Sequence, residues 1–206
     1  MKDIKDRRKP IRQWLAQASQ YNDIANVGEI ARRYFAMNAF DGILTIIGVL
    51  MGNLSAGVEN PNVVITTGLS TCIAMGISGL WGSYLTESAE RKHDLEELGR
   101  STLTDLNDTH IGHASRYAAI VISIVDGLSP FLAALLVLIP FFFNAMFSNI
   151  QMVYYTSLGV ALATLFGLGI FLGKISKDNL IVSGVKTVIA GIVSIIIGSM
   201  LNGNVH

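Results

Sequence analysis

The chain has one cysteine, Cys72, in 206 residues. A single thiol excludes an intramolecular disulfide framework, there is no Cys-x-x-Cys pair, and redox compartment is left open. Charge is scarce: Asp, Glu, Lys and Arg make up 15% of the residues, against about 25% in a soluble domain. The charges cancel to a net of zero, so overall charge points to no nucleic-acid partner. Enzyme landmarks are missing too. There is no Gly-rich phosphate loop ending in Lys-Ser or Lys-Thr, no Gly-x-Ser-x-Gly elbow and no His-Glu-x-x-His helix. No Ser–His–Asp or Cys–His arrangement stands out, so nothing argues for an enzyme. Residues 1–33 are charged and hold no signal-peptide apolar core, so no cleavage is expected.

Apolar residues are abundant. The chain is 51% hydrophobic with a mean hydropathy of +0.50, which is a membrane composition. Five apolar segments lie at roughly 34–58, 63–85, 117–143, 150–173 and 180–201, and each reaches the ~20 residues a spanning helix needs. The expected fold class is an all-α integral membrane protein. Its five transmembrane helices occupy residues 34–206, with a cytosolic helical loop at 86–116. Pro130 and Pro140 in the third segment predict a kink or a broken end. In the leader, residues 1–33, Ile11, Trp14, Leu15 and Ala18 fall at helical spacing opposite Arg8, Lys9 and Arg12. That spacing predicts an amphipathic helix lying on an anionic leaflet; a solvated leader is the plainer alternative.

Orientation follows from Lys and Arg. Eight of the fifteen lie before residue 34, four lie in 86–116, and Lys174, Lys177 and Lys186 flank the start of the fifth segment. The other connections and the tail have none. This alternation predicts a cytosolic N-terminus and an outside or lumenal C-terminus. Lys186 is expected to snorkel back toward the cytosolic side; pairing with a buried acid is the alternative.

Two carboxylates interrupt the apolar runs. An ionised carboxylate at a helix centre costs roughly 2.5–3.5 kcal/mol even on lenient insertion scales, so such residues usually face protein or water. Asp41 shares a helical face with Asn38 and Thr45, and Gly48 and Gly52 continue it as a Gly-x-x-x-Gly step suited to close helix packing. Asp126 lies in the third segment. Each acid is followed by glycine, in FDGIL and VDGLS, as a parallel repeat could produce. Asn38, Asp41, Thr45 and Asp126 are therefore candidates for a transport path. In the second segment Ala74, Ser78 and Gly82 form a second small-residue stripe. Thr71, Cys72 and Met75 could offer oxygen and sulfur to a metal, or Cys72 and Met75 could fill core gaps. Past Leu85, Glu87, Glu90, Asp94 and Glu97 recur at helical spacing with His93 beside them. They are either collectors of divalent metal or a solvated charged face. His110 and His113 alone do not make a metal site.

The stretch FDGILTIIGVLMG and the block GLSTCIAMGISGLWGSYLTESAERKH resemble the first two helices of the vacuolar iron transporter (VIT) family. LSPFLAALLVLIPFFF, FGLGIFLGKIS and VKTVIAGIVSIIIGSML are similar to its last three spans. The resemblance covers about residues 30–201. It implies five spans per subunit, a homodimer, and exchange of Fe²⁺ or Mn²⁺ for protons out of the cytosol, with the metal as cargo and no tightly bound cofactor. It implies that Asp41 serves metal passage and proton exchange, and that Glu87, Glu90, Asp94 and Glu97 collect metal. Two departures stand out. Aligned on Gly82-Ser83-Tyr84-Leu85, the family's helix-two glutamate falls at Thr71 and its methionine ligand at Gly79. Met75, one turn from Gly79, and Asp126 are the candidates to compensate. The partners expected are the lipid bilayer, a divalent metal ion, protons and a second copy, in a prokaryotic cell membrane. The alternative is a membrane scaffold or sensor that keeps the family fold without transporting.

Overall fold

The structure is a computed structural model and describes residues 21–22 and 25–202. The expected amphipathic helix and Trp14 fall at residues 1–20, outside those described. Five long helices make up nearly all of the described chain: α1 Val27–Ser55, α2 Pro61–Thr102, α3 His110–Phe142, α4 Ile150–Ser176 and α5 Leu180–Asn202. There is a 3-10 turn at Asn144–Met146. Each of the five is long and apolar enough to cross a membrane. α2 continues without a break through TESAERKHDLEELG to Thr102. α3 stays helical through Pro130 and ends two residues past Pro140; neighbouring groups in a bundle tolerate a proline in a spanning helix.

Local chemistry sets the helix ends. Asn60 accepts the Asn62 N–H at 3.0 Å, with Pro61 at the first helical position, where its missing N–H costs nothing. Asn149 and Asn179 cap α4 and α5 in the same way, accepting from Met152 at 2.9 Å and Ile181 at 3.1 Å. At the far end of α1, Gly57 takes φ +67°, and Val58 N–H bonds back to Asn53 O at 3.0 Å. This is a Schellman cap with glycine in its left-handed position.

The chain forms two compact units. The larger comprises Phe35–Ser78 and Gly127–His206. Its core takes one stripe of α1 (Ala36, Ala39, Ile43, Ile46, Ile47 and Leu50) at helical spacing. Val64 and Cys72 of α2, Val137 and Phe141 of α3, and Tyr154 and Leu165 of α4 fill in around it. Phe141 and Tyr154 meet edge to face at 5.0 Å, and the Tyr154 hydroxyl donates to Val58 O at 3.0 Å. Gly42 is required by close approach: a Cβ there would stand 2.6 Å from both Cα and O of Pro130. α4 and α5 pack through glycines, since a Cβ on Gly169 would collide with Ser183 O and Thr187 Oγ1. Thr187 Oγ1 donates across to Leu165 O at 2.7 Å.

The smaller unit comprises the chain up to Tyr34 together with Gly79–Asp126. Its apolar core is small, with Val27, Ala118 and Ile122 buried and Tyr34 and Tyr117 packed against them. The polar residues beside that core form part of the candidate site.

Candidate functional site

Within the larger unit, α1 has two contrasting faces. The Ala36–Leu50 stripe is packed. Asp41, Thr45, Gly48 and Gly52 lie on the exposed side, and Asn38 is half-buried. A Cβ built on Gly48 or Gly52 would meet nothing within 4 Å. The polar, small-residue stripe read from the sequence is thus open along the single chain. Met75 is half-buried against the core and Cys72 is fully buried in it, the surroundings of gap-filling side chains. Ala74, Ser78 and Gly82 are exposed.

Within the smaller unit, the acidic series on α2 divides. Glu90, Asp94, Glu97 and His93 are exposed, while Glu87 is only 8% exposed. Glu87 Oε1 accepts from the Tyr34 hydroxyl at 3.0 Å, and Oε2 accepts from Arg91 Nε at 2.9 Å. Asp126 of α3, also 8% exposed, lies near enough to Glu87 and Tyr34 to act on both electrostatically. Ser83, 6% exposed, lies beside Asp126. Three helices thus bring two carboxylates, two hydroxyls and a guanidinium together.

The sequence pattern placed Asp126 and Glu87 in different groups, as a transport-path acid and a metal collector. Arg91 was legible as an i+4 partner of Glu87; Tyr34, 53 residues away, was not. Among the described residues, no three His, Cys, Asp or Glu side chains of one chain gather as a metal site would need.

The VIT family profile matches residues 33–104. An uncharacterized protein of the archaeon Methanocaldococcus jannaschii is 32% identical over 164 residues, covering 78% of this chain and 83% of its own length. The chain belongs to the VIT family. At family level this is membrane transport of metal ions, and a transporter rather than an enzyme family. With five apolar helices, the VIT chain is a multi-pass integral membrane protein. The profile spans the first helix from Arg33 onward and all of the second, including Asp41, Glu87, Glu90, Asp94 and Glu97.

Proposed function

We propose that this VIT chain exports divalent iron or manganese from the cytosol in exchange for protons, as a homodimer joined along α1. Asp41 carries the reading. It is a carboxylate on the open face of a helix whose other face is packed. Left against lipid, that charge would be costly. A second copy laid on the Gly48–Gly52 step would cover it, because small residues let helix backbones approach. Two Asp41 carboxylates with Asn38 and Thr45 would offer oxygen donors, which suit Fe²⁺ and Mn²⁺ alike. Exposed Glu90, Asp94 and Glu97 would concentrate metal at the cytosolic end. A carboxylate in a low-dielectric medium binds protons more tightly unless a cation compensates it, so one acid can alternate between metal and proton. Asp126, electrostatically coupled to Glu87, is the second candidate acid of the path. The archaeal relative supports a prokaryotic cell membrane as the location.

The test is uptake of Mn²⁺ and Fe²⁺ into proteoliposomes carrying an internal pH dye. The expected outcome is metal uptake with opposed proton flux. In Asp41→Asn uptake should fall at least about tenfold, since even supporting groups of a metal site are worth that much, while the protein remains folded. Full activity in Asp41→Asn overturns the role of Asp41, and metal flux without proton movement makes the protein a channel. The scaffold or sensor reading is favoured by Thr71 and Gly79 standing where the family carries ligands. No flux of either metal under a pH gradient would select it.

A further inference from the structure

Between the charged continuation of α2 and the first turns of α3 lies a cleft of about 240 Å³. Tyr84, Ser88, Arg91 and Lys92 line it from α2, at positions that share one helical face. Ser115 and Arg116 line it from α3. The connection between the helices closes tightly over α3: a Cβ on Gly112 would stand 2.5 Å from Asn107 O and 2.6 Å from Leu106 O. The Arg116 guanidinium donates to that same Asn107 carbonyl, which fixes its direction. None of the described residues lining the cleft is Asp or Glu. Of the nearby acids, Glu87 engages Arg91. Glu96 approaches Lys92 only at 3.9 Å with both side chains largely in solvent, a pairing worth little.

We propose that this cleft binds a phosphate group, supplied in the membrane by the headgroup of an anionic lipid. Three cations and two serine hydroxyls are the donor set that phosphate oxygens take, and guanidinium forks suit them geometrically. The space holds a phosphate with part of its glycerol. Its level in the chain is that of the headgroups. Tyr84 and Leu85 close the second apolar run, and Arg116 immediately precedes the third, which opens at Tyr117. Basic pockets between spanning helices on the cytosolic side are where anionic headgroups bind. The inference rests on the span assignment and orientation, not on the transport reading, so a transport-inactive Asp41→Asn protein should bind the lipid as wild type does.

The experiment measures Tm of the full chain in neutral detergent with added phosphatidylglycerol, phosphatidylcholine or inorganic phosphate. Phosphatidylglycerol should raise Tm by about 3 °C or more at saturation, and phosphatidylcholine should not. Lys92→Gln, an exposed position, should reduce the shift. Lys92→Gln with Arg116→Gln should abolish it, and Lys177→Gln, which does not line the cleft, should preserve it. If millimolar inorganic phosphate reproduces the lipid's shift, the phosphate site stands and the lipid as its source is overturned. Equal shifts from both lipids with none from phosphate would overturn the proposal. So would a phosphatidylglycerol shift unchanged in Lys92→Gln and the double variant, or lost equally in Lys177→Gln.

Discussion

Two groups hold the Glu87 carboxylate, the Tyr34 hydroxyl at 3.0 Å and the Arg91 guanidinium at 2.9 Å. A hydrogen bond to a charged group contributes about 1.5–3 kcal/mol, so Tyr34→Phe should lower stability by about 1.5 kcal/mol, the lower end because the pair is not wholly buried. Glu87→Ala should cost more, about 2–4 kcal/mol. It strips a partner from Arg91, whose side chain is 16% exposed, where a fully buried ion pair would cost about 3–5 kcal/mol to break. Thermal unfolding in detergent of wild type, both single variants and the double variant checks this as a cycle. In the Glu87→Ala background, Tyr34→Phe should cost under about 0.5 kcal/mol. An undiminished cost there would mean that Tyr34 acts through packing on Val27 and Ile122 instead. The same residues mark how far the site could be read from sequence. A carboxylate in an apolar run is conspicuous wherever it falls, so Asp41 and Asp126 were legible. That Glu87 leaves the acidic series to join Tyr34 and sit beside Asp126 depends on tertiary packing, which the 3.6-residue period of one helix does not encode.

At the scale of the element, the apolar runs and the helices agree to within a few residues where a run ends at a cap. The Asn60-Pro61 start of α2 and the Gly57 end of α1 carry their chemistry in the residue type. Two other helix ends do not. α2 closes with Leu103 at φ +53° and α4 with Lys177 at φ +58°, both in the left-handed region without glycine. Back-bonds from Thr104 to Gly99 O and from Asp178 to Gly173 O, each 3.0 Å, complete the same capping pattern as at Gly57. Left-handed conformation costs an ordinary residue roughly 1–2 kcal/mol. Glycine escapes that cost but loses more backbone entropy on folding. Lys177→Gly should therefore gain about 0.5–1 kcal/mol and raise Tm by about 1–4 °C, while Gly57→Ala should lower stability by about 1–2 kcal/mol. Thermal melts of the two variants check both signs. A destabilised Lys177→Gly would mean that the lysine side chain, at the end of α4, contributes more by interacting with the last carbonyls than its backbone costs.

Across the whole molecule, large apolar side chains stand exposed along the spans. Ile77 and Trp81 on α2, Tyr155 on α4, and Ile181 and Ile197 on α5 are all more than half exposed, as expected of surfaces that meet lipid tails. Against that surface, the polar stripe of α1 needs a different neighbour, and two glycines on the same helix separate the packing of one chain from the packing of two. Gly42 faces inward onto Pro130. Gly42→Ala must displace backbone, and overpacking of this kind costs about 1–3 kcal/mol, so the yield of folded protein should fall. Gly48 faces outward with nothing near it. Gly48→Ile meets no clash within the chain, and isoleucine is the better helix former by a few tenths of a kcal/mol, so the fold should be kept. At a Gly-x-x-x-Gly crossing, however, the added bulk holds two helices apart. Dimer affinity in detergent should then weaken at least about tenfold, or 1.4 kcal/mol, measured as the dimer fraction against concentration by light scattering. If Gly48→Ile and Gly52→Ile both dimerise as wild type does, α1 is not the interface. The Asp41 carboxylate would then have to be covered by something other than a second α1, and the dimeric oxygen site proposed for the metal would lose its geometry.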